Sequence, residues 1–388
     1  MKILAGVALA AAAATLWAAT ITLPARASEE NEAAAETPTR VDMPASGADI
    51  KLVRADAHPV IEVIIHGRRL LFLVETGAWF NSISADTASE LGLPIRRGEA
   101  EIDTLSVGQA QFSDMKARVV DEQPGDVDGQ LGLPAFAKLL LTLDFPAHQL
   151  RLEQGELPEP NGKDVLPLQA IGPLWGVPVQ VGGKAFTALL DTQSGDALAI
   201  APPLARQVAF TGPPVATGHV HGPAIGDAPV NSARLHGDFE VGGFRFSQPI
   251  VSSFPVDLRF ERLGIWLGPQ LLQNFKVTLD QQHRRVRFVH AGNGSVIAPP
   301  PPLGDFGFRV SRSGDGRVRV EAVKHGSEPE RIGVAEGDEL VSFDRKPAAA
   351  FTETAWRELY TRPGKVRFTL RHGDEERDVE VQPTILVP

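Results

Sequence analysis

The sequence predicts a mainly β chain built as two repeated β lobes followed by a small α+β domain. Three observations predict it. Short apolar strands joined by Gly-containing turns recur along the chain. One ordered set of these strands occurs twice. A proline run, Pro299 to Pro302, marks where the repetition stops. The 388 residues fit two or three domains at roughly 150 residues each. Acidic residues exceed basic ones, 48 to 38, which excludes a dedicated nucleic-acid binder because phosphate contacts need a basic surface. The absence of cysteine excludes disulfides, thiolate catalysis and Cys-ligated metal centres, so packed cores must hold the fold.

In chain order, Met1 to Ala27 reads as a secretory signal. Lys2 supplies the positive start, Ile3 to Leu23 is almost wholly apolar, and Ala25-Arg26-Ala27 is a small-x-small cleavage site before Ser28. Export to the periplasm or the medium follows. An uncleaved membrane anchor is the alternative, since about 20 apolar residues can span a bilayer. No later stretch is long enough to span, so no membrane span is expected after cleavage. Residues 28–47, acidic and Ala-rich with Pro38 and Pro44, predict a flexible lead-in.

The first copy occupies residues 48–155 and the second 156–297. Val60 to Gly67 and Leu70 to Val74 lead into Glu75-Thr76-Gly77; Trp175 to Gly183 and Phe186 to Leu190 lead into Asp191-Thr192-Gln193. Further on, Ile102 to Gly108 parallels Asp238 to Gly243. Gly129 to Pro134 with Leu139 to Asp144 parallels Gly264 to Pro269 with Phe275 to Asp280. The second copy is longer, and its excess falls in the Gly/Pro-rich stretch Thr211 to Asn231, read as an irregular loop able to overhang a cleft. Ala85 to Leu91 predicts a helix by its spacing and the closing Gly92, with Pro202 to Val208 as its counterpart.

These residues resemble the aspartic proteases of the retropepsin and pepsin type. The apolar strand ending in carboxylate-Thr, the later apolar-Gly-apolar strand and the closing Thr-Leu-Asp hairpin carry the resemblance. The double copy with an added module is similar to bacterial two-lobed aspartyl-protease-like proteins that end in a PDZ domain. The resemblance implies an acid-protease fold with pseudo-two-fold symmetry, and a dyad of Glu75 and Asp191 that activates a shared water against a peptide bond. Two carboxyls are needed because one must be charged and the other protonated. Thr76 and Thr192 would brace the two loops, with Gly77 and Gln193 beside them. Two positions depart from the pattern: Glu75 stands for Asp, a methylene longer, and Gln193 stands for Gly. The resemblance calls for no cofactor and no metal. One chain supplies both lobes, so a monomer is expected. Taken singly, each carboxylate also reads as a loop cap; their matched places in a repeat point to a facing pair. Asp144 and Asp280, at the closing hairpins, read as turn residues.

Pro299 to Pro302 predicts a stiff linker, residues 298–303, before a third domain at 304–388. There the strand Arg317 to Val323, the turn Gly326-Ser327, and Gly337-Asp338 before Glu339 to Phe343 resemble a PDZ domain. That resemblance implies peptide binding by strand addition at Gly304, Asp305, Phe306, Gly307 and Phe308, a loop followed by a strand; a rigid spacer or lid is the alternative. His219 and His221, lacking a third ligand pattern, are read as solvated, and Trp79 as core or pocket wall. The reading that unites these features is an exported aspartic-type endopeptidase acting on peptides or proteins. The alternative is a catalytically impaired, peptide-binding pseudoprotease.

Overall fold

The computed structural model describes residues 40–54, 58–121, 123, 127–194, 197–222, 226–255, 264–292, 294–312 and 316–388. The expected leader 1–27 and the lead-in up to residue 39 lie outside the described residues, as do Gly195 and the side chains of His219 and His221. Strands dominate throughout.

In the first lobe the strands are β1 (Val60–Ile65), β2 (Arg68–Glu75), β3 (Ser82–Ser84), β4 (Glu99–Val107), β5 (Ala110–Val120) and β6 (Gly129–Gly132). They run β5-β3-β6-β2-β1-β4, and β4 pairs back on β5, so the sheet closes into a six-stranded barrel. Closure removes the unpaired edges that would otherwise be open to aggregation. The alternation expected of half-buried strands shows in β4 over Ala100 and Ile102 and again over Leu105 and Val107, with a shift of phase between the two pairs. Helix α1 (Ala85–Glu90) starts where Ser84 accepts the Thr87 amide at 3.1 Å, and ends before Gly92 with φ +62°.

The second lobe repeats the arrangement. Its strands are β7 (Leu174–Val181), β8 (Lys184–Leu190), β9 (Leu198–Ile200), β10 (Asp238–Val241), β11 (Phe244–Ser247), β12 (Ile250–Ser253) and β13 (Ile265–Leu267). Their order, β12-β9-β13-β8-β7-β10-β11, matches that of the first lobe, with β11 and β12 together standing for β5. Gln248 at φ +43° and Pro249 divide the two.

Between the barrels, six strands from both lobes form one sheet: 165–167, 285–290, 275–280, 140–144, 149–153 and 48–51. Its central pair, Leu140–Asp144 against Phe275–Asp280, is antiparallel with Thr142 opposite Thr278, whose hydroxyls meet at 2.9 Å. The pseudo-two-fold relation passes through this contact. Asp280 is 2% exposed and accepts the Leu157 and His283 amides, and Asp144 accepts the Ala147 amide, so both serve turns.

Ahead of the proline run, three expectations are corrected. Part of the lead-in is ordered: Arg40–Asp42 pairs with Gln111–Ser113, because Val41 packs on the core. The counterpart helix is only Pro202–Ala205. The stretch expected as an irregular loop is a hairpin, Val215–Gly222 with Gly226–Arg234, because its second strand extends the sheet beside β12.

Residues 306–381 form a hydrophobic cluster of their own, centred on Phe306, Phe308, Phe343, Trp356 and Phe368. The sheet here runs 308–312, 318–323, 339–343, 366–372, 375–381, with Phe308–Arg312 at its edge. Leu303–Asp305, expected as a loop, is a strand paired with Thr384–Val387.

Candidate active site

β2 and β8 deliver the two carboxylates. Each runs parallel to a short partner, β2 to β6 and β8 to β13, and that partner pairs antiparallel with the strand that follows the loop, β3 or β9. The chain after each carboxylate must therefore turn sharply across the end of its barrel. This fixes Glu75 and Asp191 at equivalent places.

The two loops lock together. Thr76 N–H donates to Thr192 Oγ1 at 3.0 Å, and Thr192 N–H donates to Thr76 Oγ1 at 3.2 Å. In return the Thr76 hydroxyl donates to the Leu190 carbonyl at 2.8 Å and the Thr192 hydroxyl to the Val74 carbonyl at 2.7 Å. Both threonines are buried, at 2% and 0% exposure. Each hydroxyl thus uses its proton and one lone pair across the lobe boundary.

Above this lock the carboxyls meet. A Cβ on Gly77 would lie 2.8 Å from Glu75 Oε1 and 3.1 Å from Asp191 Oδ1. The two oxygens can be no further apart than those lengths end to end, within the about 6 Å that one bridging water spans. Each carboxyl also acts on the protonation of the other. Gly77 does not have positive φ, so glycine is needed there for space beside the acids and not for an unusual turn. Gln193 likewise lacks positive φ and is partly exposed, so its backbone conformation does not require glycine.

The environments of the two acids differ. Glu75 is 2% exposed; Oε1 accepts the Gly77 amide at 2.6 Å, while Oε2 is buried with no hydrogen-bond partner among the described residues. Burial, then the neighbouring Asp191 charge, push the Glu75 carboxyl well above its ordinary range. Asp191 is less enclosed, and its Oδ1 accepts the amides of Gln193 and Ser194, each at 2.9 Å. Burial raises Asp191 too, but those amides, the hydrogen bond from Glu75 and the charge of His58 oppose it. Both carboxyls are thus biased toward protonation, and the two loop amides favour charge on Asp191 over Glu75. A buried, unpaired oxygen is far less costly on a protonated carboxyl than on a carboxylate, which agrees.

No protein-family model matches the chain, and no curated protein matches it. Among solved structures it is similar to the aspartic proteinase of Irpex lacteus, with 14% identity and a TM-score of 0.39, over 63% of this chain and 97% of that one. It is also similar to a retropepsin-like aspartic protease of Rickettsia conorii, with 19% identity and a TM-score of 0.23, over 31% of this chain and 98% of that one. Likeness at this distance says nothing of chemistry, which rests on the side chains above.

Trp79 is partly buried beside an apolar cluster of Leu133, Leu174, Leu189, Phe254 and Trp266 drawn from both lobes, and the Arg118 guanidinium lies 4.3 Å over its ring. His58, which no sequence pattern singles out, reaches the same loops: its Nδ1 lies 3.1 Å from the Thr192 carbonyl.

In the C-terminal part, Phe306 and Phe308 are 2% and 3% exposed, so their side chains belong to the core and are not offered to a ligand. Gly304 backs onto the Tyr360 ring, where a Cβ would come within 2.7 Å. Asp305 Oδ1 accepts the Gly307 amide at 2.6 Å.

Among the described residues no group of three or more His, Asp or Glu side chains is placed to hold a metal ion, and no helix is long and apolar enough to cross a membrane.

Proposed function

We propose that this chain is an exported aspartic-type endopeptidase that hydrolyses peptide bonds with Glu75 and Asp191. The observation that carries the reading is the pair of buried carboxyls from equivalent loops, within one water's reach and locked from below by Thr76 and Thr192. A carboxylate and a carboxylic acid side by side suit general acid–base hydrolysis. Asp191 takes a proton from a water that attacks the scissile carbonyl, while the Glu75 proton goes to the carbonyl oxygen. The resulting diol collapses as the C–N bond breaks and a proton passes to the leaving nitrogen. Thr76 and Thr192 touch no substrate; they keep the acids in register.

The reading is tested by cleavage of a peptide library between pH 3 and 7, with Asp191→Asn beside the parent. Turnover in the parent and its loss in the variant is the expected result; equal rates would defeat the assignment. A second reading, a peptide-binding pseudoprotease, is favoured by the longer Glu75 side chain with its unpartnered oxygen. It expects capture of peptides without products. The PDZ-like reading of residues 304–388 adds peptide binding along the edge strand Phe308–Arg312. The leader at 1–27 supports export.

A further inference from the structure

The two active loops are alike in their threonine lock but not in what stands behind it. In the first lobe the segment ahead of β1 is tied to β2: the Val74 amide donates to the Pro59 carbonyl at 2.9 Å. The same Val74 accepts the Thr192 hydroxyl on its carbonyl. His58 and the lobe-two loop are thus anchored to one residue, and His58 Nδ1 closes the circuit with the Thr192 carbonyl. An oxygen can only accept, so Nδ1 carries the proton in this bond. Pro59 fixes its own φ and confines His58 to extended backbone, so the imidazole is presented with little freedom.

The strand register shows that this contact breaks the symmetry. Val60 faces Leu73 and Gly176 faces Leu189, with Leu73 and Leu189 each two residues before a carboxylate. His58 therefore corresponds to Leu174, which is 4% exposed within an apolar cluster. One lobe has an imidazole where the other has a hydrocarbon. Asp191 is the carboxyl that feels the charge of His58, which opposes its upward shift.

We propose that His58 is a positioning residue for the lobe-two carboxylate: as an imidazolium bonded to the backbone beside Asp191, it seats that loop and holds Asp191 as the charged partner of the dyad. Without that charge, Asp191 competes with Glu75 for the shared proton. This rests on the reading of the pair as a dyad, but its test does not need turnover.

The experiment follows the Asp191 carboxyl directly, by carbon-13 NMR of aspartate-labelled protein titrated from pH 3 to 8, assigned with Asp191→Asn. His58→Gln keeps a donor but no charge, whereas His58→Leu copies the other lobe. The Asp191 midpoint should move to higher pH in both variants, by similar amounts. Peptide cleavage, measured in parallel, should fall about tenfold at pH 5 in His58→Gln, as expected on losing one charge-assisted contact. An unmoved midpoint in His58→Gln would overturn the proposal, whether or not His58→Leu folds. A shift in His58→Leu alone would reduce His58 to a plain hydrogen-bond donor and overturn it as well. If the parent protein cleaves nothing, the peptidase reading fails separately, and the titration still decides the role of His58.

Discussion

Thr76 and Thr192 exchange four hydrogen bonds across the lobe boundary, each hydroxyl accepting an amide from the other loop and donating to a carbonyl at the end of the other lobe's strand. The arrangement satisfies two amides and two carbonyls that the sharp turns would otherwise bury without partners. Removing either hydroxyl strands one of each. Thr192→Val keeps the shape but leaves the Thr76 amide and the Val74 carbonyl unpaired, so a loss of about 2–4 kcal/mol is expected in urea unfolding. Thr192→Ser should recover most of it. A valine variant as stable as the parent would mean that the lock contributes nothing to joining the lobes.

The dyad sets a pH dependence of stability with a definite sign. In the unfolded chain both acids titrate near about 4. Folding raises both, Glu75 most, chiefly by burial. The native state then holds more protons than the unfolded one, so the stabilisation is complete below the unfolded value and is lost as pH rises through the folded values. Each unit of separation costs about 1.4 kcal/mol at neutral pH. Glu75→Gln offers an acceptor to Gly77 and a permanent donor to Asp191, and should flatten the curve and be the more stable protein at pH 7. Urea midpoints from pH 4 to 8 test this; parallel curves for parent and variant would place the dependence elsewhere.

Length at position 75 is the next test. Asp191 sits under two loop amides, those of Gln193 and Ser194, whereas Glu75 takes the Gly77 amide alone and leaves Oε2 without a partner. Glu75→Asp draws the carboxyl back by one methylene into the seat that Asp191 already has. Misplacement of about 1 Å can cost around 100-fold, so kcat on a peptide substrate should rise by about 10- to 100-fold. If it does not, Gln193 becomes the limiting departure, and Gln193→Gly in the same background should supply the gain.

What the sequence made legible follows from where its constraints are local. The paired placement of Glu75 and Asp191 and the matching threonines were visible because duplication preserves order. Gly92 marked the end of α1 because a C-terminal cap acts within one turn, whereas the Ser84 cap at its start went unread. The central sheet was hidden, since no feature of Leu140–Asp144 announces that it pairs with a strand beginning at Phe275. The hairpin 215–234 was misread because Gly and Pro mark turns reliably only where no neighbouring strand offers hydrogen bonds; here Ile250–Ser253 does. His58 was invisible for a related reason. A lone His before Pro carries no pattern, and its meaning depends on Val74 and Thr192, which only the folded chain brings to it.

Asp305 decides what the C-terminal part can recognise if it binds peptides along Phe308–Arg312. The amide beside that edge, Gly307 N–H, already donates to Asp305 Oδ1 at 2.6 Å, and Lys324 stands 3.8 Å from Oδ2. The chain's own carboxylate thus already holds that amide, and would repel a ligand carboxylate that approached it. The parent should bind a fluorescent peptide no more tightly with a free C-terminus than with an amidated one. Asp305→Ala releases the amide and leaves Lys324 without its partner, so the free acid should bind at least about tenfold more tightly in anisotropy titrations. The amidated peptide should be unchanged. Phe306 and Phe308 stay in the core, so the variant should melt within a few degrees of the parent. Equal affinities for acid and amide in Asp305→Ala would show that this loop is no carboxylate site, and would leave internal peptide segments as the class the edge strand accepts.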